Sequence, residues 1–191
     1  MKTLLTNALA VAAAAFLGTA EAEPLAYRVD PDHTRVHFEV RHFGTSTTRG
    51  RFGQVAAAIV LDRAARRGEL SVTVDTGIVD SGVAPLDGML RGASFLAAAE
   101  HPQAWFVASQ LVFDADRLTE ARGEFTLRGI SRPLTLRALR FACRQEADRE
   151  VCGGDFEAEF RRSDYGITFG LPFVADSVRL VIQVEAARLT G

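Results

Sequence analysis

Between Val36 and Arg41 the chain alternates: Val36, Phe38 and Val40 share one parity, while His37, Glu39 and Arg41 share the other. A period of two predicts a strand with one buried and one wet face. Asp30-Pro31-Asp32 sets up the entry as a turn, because proline fixes φ and aspartate bonds nearby amides. The same two-faced pattern returns along most of the chain. Gly44 to Gly50 reads as a polar turn, and Arg51 to Leu61 as a strand bent at Gly53. Asp62 to Gly68 reads as an exposed hairpin loop, and Leu70, Val72 and Val74 mark the next inner face.

Ser81 to Glu100 breaks the alternation. Pro85, Leu86, Met89 and Leu90, then Phe95 and Leu96, predict a short helical insertion around 84–100, stopped by His101-Pro102. Strand patterning resumes with Trp105, Val107, Leu111 and Phe113 on one parity, with Phe106 as the alternative if the register differs. Ala121, Gly123, Phe125 and Leu127 oppose Arg122, Glu124, Thr126 and Arg128. Gly129 to Pro133 reads as a turn. Leu134 and Leu136 then give way to Leu139 and Phe141 on the other parity, which predicts a bulge near Arg137. Phe156, Ala158 and Phe160 face in on the following strand, as do Val178, Leu180, Ile182 and Val184 on the last one, 178–188. About eight two-faced, near-antiparallel strands predict a barrel or a sandwich. The interior of an eight-stranded barrel holds either one small ligand or its own side chains.

Composition narrows the compartment. Met1-Lys2, the apolar run Leu4 to Gly18 and Ala20-Glu21-Ala22 form a secretory signal peptide over 1–22, leaving one domain over 23–191. A membrane anchor is the other reading, but the run is shorter than the roughly 20 residues of a spanning helix. No second long apolar stretch follows, so no stable membrane span is expected after cleavage. A periplasmic or secreted protein is expected. The net charge of −2 argues against a nucleic-acid partner. Lys2 is the only lysine, so cleavage removes lysine chemistry. Cys143 and Cys152, paired in number and exported, predict a disulfide across a hairpin tip. Two thiols without a neighbouring histidine make a poor metal site.

Four segments stand out: Tyr27-x-Val29-Asp30-x-x-His33-Thr34-x-Val36-x-Phe38-x-Val40-x-His42, Gly123-x-Phe125-Thr126-Leu127-x-Gly129-Ile130-x-x-Pro133-Leu134, Arg162-Ser163-Asp164-Tyr165-Gly166-Ile167, and Val178-x-Leu180-x-Ile182. Together, in this order, they resemble the YceI family. The resemblance covers 26–189. It implies an all-β, eight-stranded antiparallel lipocalin-like barrel that encloses a polyisoprenoid lipid such as a quinone tail and acts as a carrier, not as an enzyme. Leu86-Asp87-Gly88-Met89-Leu90 lacks the arginine and histidine common in the family there, and Phe95-Leu96-Ala97 replaces its aromatic-aromatic-acid run.

Thirteen phenylalanines against two tyrosines and one tryptophan leave the aromatic surface mostly without a polar handle, which suits a hydrocarbon ligand. The lumen lining expected from parity and resemblance comprises Phe38, Val40, His42, Phe52, Trp105, Phe125, Leu127, Phe156, Phe160, Phe169, Phe173 and Ile182. Core filling without a cavity is the bland alternative. The segment Tyr165 to Phe173, interrupted by Gly166, Gly170 and Pro172, reads equally as a lid or as a plug. His33 and His37 would lie about 13 Å apart along a strand, too far for one metal ion. His42 reads either as a core histidine or as a bond to a ligand's carbonyl or hydroxyl, and Asp87, Arg91 and Tyr165 are further mouth candidates. No Gly-x-Ser-x-Gly elbow or phosphate loop appears, and Arg162-Ser163-Asp164 reads as a structural loop. No catalytic residue, metal or cofactor is assigned, apart from a bound isoprenoid lipid or quinone. The competing readings are an enzyme acting on a lipid or quinone head group and a filled interaction module. A homodimer is left open.

Overall fold

The computed structural model describes residues 24–189, so the expected signal peptide lies outside the described residues. Eleven strands form: β1 (Leu25–Val29), β2 (Arg35–His42), β3 (Ser46–Phe52), β4 (Val55–Asp62), β5 (Arg67–Asp75), β6 (Val79–Asp80), β7 (Gln103–Asp114), β8 (Arg117–Leu127), β9 (Ile130–Glu146), β10 (Arg149–Arg161) and β11 (Val174–Arg188). A helix, α1 (Ala84–Arg91), follows β6, and a 3-10 turn spans Arg162–Tyr165.

Every pairing is antiparallel, and eight strands close a ring in the order β1-β4-β5-β7-β8-β9-β10-β11. The β1–β11 pairing completes it, with Tyr27 opposite Arg188 and Val29 opposite Ala186. The remaining three strands extend broken members of that ring. β11 carries β1 at residues 186–188 and β2 at 174–183 along the same edge, so β1 and β2 are two halves of one strand. The interruption is the Asp30–Asp32 turn, where the Asp32 amide donates to Asp30 Oδ1 at 2.8 Å. β3 and β4 divide at Gly53, and β5 and β6 at residues 76–78. The barrel therefore has eight staves, three of them snapped. Above the breaks the order is β11-β2-β3-β6, so β6 pairs with β3 and not with β7, and α1 with residues 92–102 leads from β6 to β7 along the cavity.

Several local expectations are revised. Ser46 to Gly50, expected within a polar turn, belongs to β3. Its polar side chains hide the signal, but its backbone pairs with β2 from His37↔Arg51 to His42↔Ser46. Gly50 sits opposite Phe38, and a Cβ there would collide with the Phe38 ring. The turn after β8 is only Arg128-Gly129, both with positive φ (52° and 71°), the two-residue hairpin geometry that favours glycine. Pro133 thus lies within β9, opposite Glu124. It is tolerated because β10 pairs with β9 only from Arg137 onward, leaving one side of Pro133 without a ladder to feed. The bulge falls at Leu139, which the register skips between Ala138 and Arg140 and which is exposed.

Two apolar clusters line the interior. The larger joins Phe38, Phe106, Phe125, Phe156, Leu180 and their neighbours along the barrel. The smaller, Tyr27, Leu61, Cys152 and Ala186, plugs one end.

Candidate functional site

Inside the ring lies a cavity of about 580 Å³, within the range of small-molecule sites. It exists because small residues share the inward parity with large ones. Ala104 and Ala121 alternate with Phe106, Phe125 and Leu127, leaving room that larger side chains would fill. The walls are almost entirely apolar. Among the described residues, the polar side chains that touch the cavity are Tyr27, Thr34, His42, Thr48 and Arg162.

The plugged end is tied by charge. The Tyr27 hydroxyl donates to Glu150 Oε1 at 2.6 Å, and Arg63 Nη2 donates to Glu150 Oε2 at 2.7 Å. Arg63 also reaches Asp116 Oδ2 at 3.4 Å, so three hairpins meet on one guanidinium. Burial, reinforced by the Glu150 hydrogen bond and charge, pushes the Tyr27 phenol up to about 12. Cys143 and Cys152 face each other across β9 and β10 and form a disulfide, with Cα atoms 4.0 Å apart. With Glu150 they bring three potential ligand atoms within 4.8 Å. The sulfurs, however, are spent on each other, and the carboxylate is held by Tyr27 and Arg63.

The opposite end is the mouth. Leu86, Met89 and Leu90 of α1 touch the cavity, as do Phe95, Leu96, Ile167 and Phe169 from the covering segments. Arg128 ties one cover down, donating from Nη1 to the carbonyls of Ala93 at 2.9 Å and Phe95 at 2.6 Å. Arg162 organises the other. It is 4% exposed and donates to four backbone carbonyls: Ile167, Phe169, Val174 and Ala175, at 2.8–3.0 Å. Burial holds its pKa below the usual arginine value, against the pull of the nearby Asp176. Asp176 is itself occupied by the amide and hydroxyl of Ser163 and by Arg161.

Of the lining residues expected from sequence, Phe38, Val40, Phe52, Phe125, Leu127, Phe156, Phe160 and Ile182 line the cavity along the barrel, and Phe169 lines its mouth. His42 also touches the cavity but is exposed at the rim, edge-on to Phe43 with ring centroids 4.6 Å apart. Two residues are placed differently. Trp105 borders the cavity yet is 40% exposed, because Ala104, Phe106 and Ala108 take the inward parity of β7. Phe173 lies outside, 63% exposed and stacked on Phe43 at 5.7 Å.

The mouth candidates divide as well. Asp87 accepts from the Ser81 amide and hydroxyl at 2.7 and 2.6 Å, bracing the start of α1. Tyr165 is buried at 1% exposure, edge-on to Phe125 and Phe160, and burial pushes its phenol up to about 12. The segment after it closes on the cavity at this end, which Ile167 and Phe169 border. The role of Arg162 lay beyond strand parity, its one signal being an arginine leading into an apolar, glycine-broken segment.

Comparison with known proteins gives a consistent picture. The YceI-like domain matches residues 27–186. A UPF0312 protein of Pectobacterium atrosepticum is 29% identical over 191 residues, covering 98% of each chain. The crystal structure of Burkholderia cenocepacia BcnA superposes with a TM-score of 0.70 at 21% identity, over 82% of this chain and 98% of that one. A polyisoprenoid binding domain from Saccharophagus degradans, implicated in plant cell wall breakdown, superposes with a TM-score of 0.64 at 15% identity, covering 86% and 99%.

Proposed function

The chain belongs to the YceI-like family, and from that premise we propose that it binds an apolar polyisoprenoid chain, such as the tail of an isoprenoid quinone, in the barrel lumen. The observation that carries this reading is the lining. A cavity of about 580 Å³ is walled by aliphatic and phenyl groups, with its polar contacts few and Arg162 already engaged by four carbonyls. Among the described residues, no free ion pair or donor array inside would reward a polar ligand, whereas each CH₂ moved from water into such a wall contributes about 0.8 kcal/mol. The Saccharophagus relative, described as a polyisoprenoid binding domain, supports the same class of ligand. A head group would stay at the mouth, beside His42 and Thr48.

The role is that of a carrier, with the ligand held and released unchanged. Export to the periplasm or beyond fits the Cys143–Cys152 disulfide, since such bridges persist in oxidising compartments. Native mass spectrometry of the mature chain from the periplasm, followed by organic extraction, tests the reading. A stoichiometric adduct that releases a polyprenyl species is the expected result. A bare mass that is unchanged after incubation with polyprenols and quinones would overturn it.

A further inference from the structure

Outside the cavity, the mouth carries apolar side chains that nothing in the fold requires to be exposed. Phe43 is 61% exposed, Phe173 63%, Phe169 58% and Met89 51%. They form one surface with the opening. Phe43 stacks on Phe173, Phe169 packs on Phe95 at 5.5 Å, and Met89, Phe95 and Phe169 all touch the cavity. Scattered surface leucines need no explanation, but aromatic rings clustered at an opening do.

Phe43 is the clearest case. It sits at the tip of the β2–β3 turn with φ at +50°, a left-handed conformation in which asparagine or glycine is favoured and a bulky side chain is strained. The sequence thus places an exposed ring where both solvation and backbone sterics disfavour it. Of the described non-glycine residues with positive φ it is the one that carries an aromatic ring, which points to a use for the ring outside the folded chain. Two arginines flank the rim, although the covering segments also expose Glu100 and Asp164. Arg41 lies two residues before Phe43, Arg91 shares the last turn of α1 with Met89, and neither is paired with a carboxylate among the described residues. Asp87, the acid on the same helix, is turned to Ser81.

We propose that this rim of Phe43, Phe173, Phe169 and Met89, flanked by Arg41 and Arg91, seats the barrel mouth-down on an anionic phospholipid surface. Aromatic rings settle at the headgroup boundary and arginines meet the lipid phosphates, an arrangement typical of interfacial anchors. The inference rests on the lumen reading above, because a long isoprenoid tail leaves and enters a membrane and has no free pool in water. Seating the mouth on the bilayer lets the tail pass between two apolar media without crossing water.

Co-sedimentation with vesicles of phosphatidylcholine and phosphatidylglycerol, free of any isoprenoid, is the test. The mature chain should partition onto them, and Phe43→Asn with Phe173→Ser should lower the partition coefficient by about tenfold or more. Phe43→Asn alone should also raise Tm while weakening binding, because asparagine accepts the positive φ; a structural role would lower Tm instead. Arg41→Gln with Arg91→Gln should reduce binding several-fold on the anionic vesicles and leave neutral ones unaffected, with the difference lost at high salt.

Detergent-delivered polyprenol separates the two readings, since neither Phe43 nor Phe173 lines the cavity. Polyprenol uptake without vesicle binding overturns the docking inference and leaves the lumen reading standing. Vesicle binding with an empty lumen does the reverse. A dimer that Phe43→Asn with Phe173→Ser dissociates would assign the rim to a second copy of the chain and overturn the proposal.

Discussion

Arg162 Nη1 donates to the carbonyl of Phe169 at 2.8 Å while the Phe169 ring faces the cavity mouth. One buried cation thus fixes the backbone of a residue whose side chain borders the opening. Arg162→Ala removes the donors from four carbonyls at once, and an orphaned buried acceptor costs on the order of 1–3 kcal/mol. A loss of about 3 kcal/mol or more is expected in urea unfolding, with amide exchange accelerated across 167–175. Arg162→Lys should not rescue it, because an ammonium cannot span acceptors that the planar guanidinium reaches together.

Filling the lumen should separate stability from binding. Val72 and Val184 point into the cavity from β5 and β11. Val72→Phe with Val184→Phe is expected to abolish polyprenol uptake and to leave stability unchanged or raised by about 1 kcal/mol, as cavity filling does elsewhere. Uptake persisting at wild-type affinity would move the ligand out of the lumen.

The parities of β8, β10 and β11 are legible in the sequence because each has a clean apolar face: Phe125 and Leu127, Phe156 and Phe160, Leu180 and Ile182. β7 is not so clean. Its inward positions include small alanines and its outward ones Trp105 and Val107, so size points the wrong way, and the register shifts between Ala108 and Gln110. β3 is illegible for a different reason. Ser46, Thr47, Thr48 and Gly50 are held by backbone pairing with β2, and pairing leaves no mark on side-chain chemistry. The closed lumen follows from many local parities, whereas the Arg162 clamp depends on where the 167–175 carbonyls turn, which no alternation encodes.

The disulfide closes a hairpin between residues separated by nine positions. In the chain-entropy account a loop of that size contributes about 2–3 kcal/mol. Cys143→Ala with Cys152→Ala should lower stability by that amount, and a thiol reductant should reproduce the loss in the wild type while leaving the variant unaffected.

His33 Nδ1 lies 2.8 Å from Asp30 Oδ2 at the β1–β2 break. That hydrogen bond, and then the Asp30 charge, raise the His33 pKa above its ordinary 6.5. A raised imidazole adds stability that is complete below 6.5 and fades as pH climbs through the folded value. NMR titration of the His33 ring should give a midpoint above 6.5 that falls in Asp30→Asn. A midpoint at or below 6.5 in the wild type would remove the interaction.

The three snapped staves divide the labour of the barrel between its two ends. At the base, the ring is complete, and the disulfide and the Arg63 junction hold it, so a change of one residue there disturbs neighbours all the way round. At the top, Arg128 and Arg162 hold the covering segments by the backbone carbonyls of residues 93 and 95 and of 167, 169, 174 and 175, whatever side chains those residues carry. Substitutions at exposed positions of these segments, such as Ala93 and Phe169, therefore leave both clamps and every strand register below intact.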